Sequence, residues 1–333
     1  MILIDWSINK TTETGRETDM TIFNRTACSV LALGLTAGAA LAQDDCSTVT
    51  FSDVGWTDIT ATTAATTVVL EALGYETEIR VLSVPVTYTS LANGDLDVFL
   101  GNWMPTMEAD IAPYREAGTV DTVRANLTGA KYTLATNAAG AAMGIADFAD
   151  IAGAADALDE SIYGIEPGND GNRLIMDMIA DNAFALGDAE FEVVESSEQG
   201  MLAQVARASD RDEPIVFLAW EPHPMNANFD LTYLTGGDDW FGPDLGGATV
   251  YTNTRAGYVE ACPNVGALLN NLEFTLAMEN EIMGAILNDG EDPRDAATTW
   301  MAANTDVVMG WLDGVTTIDG GNAAEAVSAA LEM

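Results

Sequence analysis

The chain has 333 residues, of which 52 are Asp or Glu and 12 are Lys or Arg, giving a formal net charge of −40. That excess excludes a nucleic-acid partner, because phosphate neutralisation needs clustered cations, and it disfavours anionic lipid surfaces. With 48% hydrophobic and 8% aromatic residues the chain is too rich in core-forming side chains to be disordered, and its single His and two Lys exclude a multi-histidine metal site and a Walker-type phosphate loop, so no cofactor is expected.

Residues 1–42 read as an N-terminal extension and signal peptide. Ala27 to Ala42, ACSVLALGLTAGAALA, is an apolar run preceded by Arg25 and closed by Ala40-Leu41-Ala42, the small-x-small form that signal peptidase accepts. Met20 lies just upstream, so the start is either Met1 or Met20. A retained anchor is the alternative, although the run is shorter than the ~20 apolar residues a spanning helix needs. Cleavage after Ala42 removes three cations and four acids, leaving a soluble periplasmic protein of charge −39. It also removes Cys28, and the remaining Cys46 and Cys262 form an even pair in an oxidising compartment. They are predicted to be bridged, with two free thiols as the alternative.

The rest alternates β-rich runs with helical patterns, the signature of α/β layers. Val49 to Phe51 reads as a strand, Thr57 to Leu73 as a helix stopped by Gly74, Thr77 to Leu82 and Val98 to Gly101 as strands. Beyond Lys131 to Ala135 a second unit begins: strands Ser161 to Ile165, Phe191 to Glu195 and Ile215 to Trp220, with helices Asn172 to Phe184 and Ser197 to Ala208 between them. After a Gly- and Asp-rich stretch comes a strand, Thr249 to Asn253, and then an almost wholly helical remainder. Pairing Cys46 with Cys262 returns that remainder to the first unit. The expected architecture is therefore two α/β lobes, residues 43–131 with 245–333 and residues 132–244, joined by at least two crossing strands, with the ligand in the cleft between them.

Aromatic residues gather where such a cleft would be. Trp56, Trp103 and Trp220 lie just past the carboxyl ends of strands, where open α/β sheets bind ligands, and Tyr132 lies at the first crossing. A single Trp at a strand end is ordinarily core; four electron-rich rings converging from two lobes make a box for a cation. Asp58 supplies a carboxylate nearby. The turn Glu166 to Asn172 runs into a helix, so Asn169 and its free N–H groups could bind a polar tail; the plainer role is N-capping by Asp170 or Asn172. His223, between two prolines, reads as structural, and Glu195, Glu198, Asp238 and Asp239 as solvated surface.

These residues carry a resemblance. Phe51 to Ile59 (FSDVGWTDI), Phe99 to Thr106 (FLGNWMPT), Ala130 to Asn137 (AKYTLATN), Gly164 to Asn172 (GIEPGNDGN) and Trp220 to Asn226 (WEPHPMN) together resemble the periplasmic choline-binding proteins of ABC importers, within the glycine betaine, proline betaine and choline substrate-binding family. The resemblance covers residues 46–333. It implies a type II Venus-flytrap fold, a ligand set of Trp56, Asp58, Trp103, Tyr132, Asn169, Asp170 and Trp220, a joined cysteine pair, and a monomer that delivers its ligand to an ABC permease. Choline is the expected ligand, with acetylcholine or betaines as further ones, because a betaine carboxylate wants N–H or Arg donors where Asp58 places negative charge. The alternatives are a glycine betaine or proline betaine binding protein of the same family and, more remotely, a secreted hydrolase of a choline ester, for which no nucleophile elbow is present. The acidic excess then reads as a cation-seeking field or as a solvated coat suited to salty surroundings.

Overall fold

The computed structural model describes residues 46–332, so the expected signal peptide and its cleavage point lie outside it. Among the described residues, nine strands form one mixed sheet: β1 (Thr48–Asp53), β2 (Glu76–Val81), β3 (Val98–Met104), β4 (Val120–Asn137), β5 (Ser161–Tyr163), β6 (Glu192–Val194), β7 (Val216–Glu221), β8 (Leu231–Tyr233) and β9 (Gly247–Arg255). Their order is β2-β1-β3-β9-β4-β7-β5-β6, with β8 beside β4. β1 runs parallel to β2 and β3, and β5 runs parallel to β6 and β7. These two parallel halves are joined by antiparallel pairing of β3 with β9, β9 with β4, and β4 with β7.

β4 and β9 lie side by side at the centre and link the two parallel halves. β4 is 18 residues long and its register against β9 shifts three times, between Thr122 and Arg124, Ala125 and Leu127, and Thr128 and Ala130. Each irregularity bends and twists the ribbon, which lets one strand serve both halves. Only Lys131 to Ala135 of this strand is legible in the sequence, and β8 is not legible at all. The register shifts break the two-residue alternation over Val120 to Ala130, and three residues are too few to show one.

The helix Thr57–Ala72 follows β1 and is buried on nearly every side despite six threonines. Threonine is a poor helix former because its branched side chain is stiff and its hydroxyl seeks backbone partners. Here those hydroxyls turn back onto the helix: Thr62 donates to the Asp58 carbonyl at 3.0 Å, Thr66 to Thr62 at 2.8 Å and Thr67 to Ala64 at 3.0 Å. These three hydroxyls are satisfied without leaving the helix, Thr57 and Thr60 bond Glu198 and Asp53 outside it, and the segment packs against the helices Leu276–Leu287 and Pro293–Ala303. The helical remainder after β9 is as expected, running in six segments from Tyr258 to Ala330. The helix expected to reach Phe184 instead spans Asp170–Ala180, and Asn182 and Phe184 beyond it adopt φ of 54° and 53°.

Cys46 and Cys262 are bonded, with Cα atoms 5.6 Å apart. A crosslink spanning 216 residues contributes about 5 kcal/mol in the chain-entropy account. It fastens the residues before β1 to the helical remainder.

Candidate functional site

Trp56, Asp58, Trp103, Tyr132, Asn169, Asp170 and Trp220 all line one cavity, with Ile165. Every predicted ligand residue is therefore brought to the same place. The Trp placement needs one correction. Trp56 follows β1 as expected, but Trp103 and Trp220 are the penultimate residues of β3 and β7 rather than lying beyond them. Their backbones are thus held in strand ladders and not in loops. Tyr132 stands directly opposite Trp220 in the β4–β7 ladder, their ring centroids 6.2 Å apart at 78°, and Trp103 approaches Tyr132 at 6.1 Å. All four rings are 4–5% exposed.

Polar groups fix the rings. Trp103 Nε1 donates to Asp58 Oδ2 at 3.1 Å, Trp56 Nε1 donates to Glu166 Oε1 at 2.9 Å, and the Tyr132 hydroxyl donates to Asn169 Oδ1 at 2.9 Å. Trp56 and Trp103 belong to the β1–β3 half and Glu166 to the other, so the Trp56 bond spans the cavity. Asn169, not Asp170 or Asn172, caps the helix Asp170–Ala180, accepting from Asn172 N at 3.1 Å while its Nδ2 donates to Asp170 Oδ1 at 3.1 Å. Asn172 instead ties the preceding turn, bonding Ile165 and Glu166.

The cavity is acidic, and its carboxyls are buried. Asp58 is 1% exposed and its Oδ1, buried, has no hydrogen-bond partner. Burial, and next the charge of Glu198, push its carboxyl up to about 8. Burial likewise raises Glu166 to about 7 and Asp170 to about 6. Behind Asp58, Glu279 of the helix Leu276–Leu287 is also buried, and burial together with the Asp58 charge raises it well above the usual carboxylate range. Among the described residues no Lys or Arg lines the cavity. A buried carboxylate oxygen without a donor is costly unless something positive meets it, and the surrounding ring faces favour a cation.

Residues 47–303 match the family model described as the substrate binding domain of ABC-type glycine betaine transport systems, OpuAC. The chain belongs to this family. A solved ABC-transporter choline binding protein in complex with choline is 71% identical with a TM-score of 0.85, the match covering 86% of this chain and 98% of that one. An ABC-transporter choline binding protein in an unliganded semi-closed conformation is 70% identical with a TM-score of 0.80, covering 87% and 100%. An uncharacterized protein, ORF1, of Chromohalobacter salexigens is 52% identical over 130 residues, 39% of this chain and 84% of that protein. The fold is accordingly that of the two-lobed α/β binding proteins of this family, which serve transport. Among the described residues no helix is long and apolar enough to cross a membrane.

Four residues at or around the site escaped the sequence reading in whole or part. Ile165 lines the cavity as a plain strand-end residue with nothing to mark it. Glu166 was read only as part of a turn, yet its side chain holds Trp56. Glu279 is a buried acid on the half-exposed helix Leu276–Leu287, and nothing in the local sequence marks its surroundings. Glu198, read as solvated surface, is 1% exposed, which is a correction, whereas Glu195, Asp238 and Asp239 are exposed as expected.

Proposed function

We propose that this protein is a periplasmic solute-binding protein that captures choline and delivers it to an ABC permease. The observation that carries the reading is the combination in one cavity of four buried ring systems with an unpartnered Asp58 oxygen and no basic side chain. Trp56, Trp103, Tyr132 and Trp220 would surround the trimethylammonium, each face contributing roughly 0.5–2 kcal/mol when desolvated. Asp58 would balance its charge and Asn169 would meet its hydroxyl. The 71% identity to a choline binding protein in complex with choline supports the same ligand.

Glycine betaine has the same head but adds a carboxylate. In this cavity that group would face Asp58 and Asp170 without an Arg or Lys to receive it, a repulsion that favours choline. The family description names glycine betaine, so the test ranks both. Calorimetric titration with choline, acetylcholine, glycine betaine and proline betaine is expected to give the tightest binding for choline, and tighter glycine betaine binding would reverse the assignment.

In this reading the lobes are residues 43–131 with 245–333 and residues 132–244, the boundaries falling within β4 and just before β9. Ligand contacts contributed from both sides favour closure, and the closed monomer is what the permease recognises. A cleaved signal peptide in residues 1–42 would place the protein in the periplasm.

A further inference from the structure

The helix Thr57–Ala72 carries two box residues at its start, Trp56 as N-cap and Asp58 in its first turn, yet no side chain of its own caps it. The first N–H groups of a helix need acceptors. Here the acceptor comes from 141 residues away, from the helix Glu198–Asp210 that follows β6: Glu198 Oε2 accepts from Thr57 N at 2.9 Å and Oε1 from Thr57 Oγ1 at 2.5 Å. Glu198 Oε1 also lies 3.3 Å from His223 Nε2. His223 Nδ1 accepts from Met225 N at 2.9 Å, so the ring hydrogen sits on Nε2 and points at the carboxylate. Both Glu198 and His223 are 1% exposed. His223 follows box residue Trp220 by three positions, and their ring centroids are 5.0 Å apart.

One carboxylate therefore grips, on one side, the residue between Trp56 and Asp58 and, on the other, the segment that carries Trp220. We propose that Glu198 is a closure latch: it caps the Thr57 helix across the cleft only when the two lobes come together around the ligand, and so positions Trp56 and Asp58 without touching the ligand itself. A carboxylate suits the place because a helix N-terminus favours negative charge. His223 holds that carboxylate in its working orientation in both states, since its own partners, Met225 and Glu198, belong to the same half. The ligand and the latch are coupled through charge: Glu198 and Asp58 repel one another, and a cation in the box offsets that repulsion.

The inference rests on choline-driven closure, and the two can fail separately. Choline titration of the wild-type protein reads the proposed function alone. If wild type binds, Glu198→Ala is expected to weaken choline by about 10- to 100-fold, the range for losing hydrogen bonds to a buried charged group, and to do so by faster dissociation. Its ligand-free unfolding midpoint should fall less than the choline-bound one, because in the open form only the His223 contact is lost and the latch to Thr57 is already unmade. Thr57→Val should weaken binding less, and the double variant should be no worse than Glu198→Ala alone, since both remove one interaction. Choline affinity of Glu198→Ala within about twofold of wild type would overturn the latch. So would a ligand-free midpoint that falls as far as the choline-bound one, which would make Glu198 a support for the fold and nothing more. Should Glu198→Ala not fold, Thr57→Val is read against the same two outcomes.

Discussion

Trp103 serves the site twice. Its ring forms one wall of the box, and its Nε1 gives Asp58 Oδ2 a donor at 3.1 Å while Oδ1 is left open toward the cavity. Removing the side chain takes away a ring face and also frees a second oxygen of a carboxyl that burial already holds in its neutral form. Trp103→Ala is therefore expected to weaken choline by at least about 100-fold, from the summed loss of a desolvated ring face and a hydrogen bond to a charged group. Trp103→Phe keeps a ring face but loses the donor, and should fall between the two. Titration reads the affinity and far-ultraviolet circular dichroism checks that the fold persists. Near-native affinity in Trp103→Ala would mean that the box is wrongly composed.

At the scale of elements, the helix Asp170–Ala180 brings its N-terminus against Tyr132 so closely that only glycine fits. A Cβ on Gly171 would lie 2.1 Å from the Tyr132 hydroxyl oxygen and 3.0 Å from Leu218 Cδ1. Alanine is otherwise the better residue in a helix by about 1 kcal/mol, so the cost of Gly171→Ala falls on the tyrosine rather than on the helix. We expect about 10-fold weaker choline binding with a ligand-free melting point shifted by no more than a few degrees; unchanged affinity would show that Tyr132 can yield without harm. This helix also shows what sequence can and cannot reveal. Trp56, Trp103 and Trp220 stand at strand ends and the Gly168–Asn169–Asp170–Gly171 turn precedes a helix, so their convergence follows from local pattern plus the rule that open sheets bind ligands at strand carboxyl ends. Glu198 is different. It sits one residue after a Ser197 N-cap in an ordinary helix start, where an acid is expected for dipole reasons alone, and the partner that buries it is 141 residues distant. The first half of β4 was hidden for another reason: at each of the three register shifts β4 carries one residue more than β9, and these extra residues break its own alternation.

For the molecule as a whole, the opening charge excess divides into two populations. Most of the acids are exposed, but Asp58, Glu166 and Asp170 are gathered at the cavity, where burial raises their carboxyls to about 8, 7 and 6. In an open form these groups face water and ionise near the ordinary 3.8 to 4.5. Between those values the empty closed form holds protons that the open form has lost, so lowering the pH through that window favours closure and raising it favours opening. Choline supplies the positive charge that the protons otherwise provide, and the bound form should close at either end of the window. Small-angle scattering of the ligand-free protein is therefore expected to show a smaller radius of gyration at about pH 5.5 than at about pH 8.5, and saturating choline should remove the difference. Ionic strength is to be held near 0.15 M, where a Debye length of about 8 Å damps repulsion among the exposed acids and leaves the buried ones as the source of any change. Asp58→Asn, lacking the highest of these three carboxyls, should lose the upper part of the transition. A ligand-free radius that is the same at both pH values would mean that proton uptake by the buried carboxyls does not drive closure of the empty box.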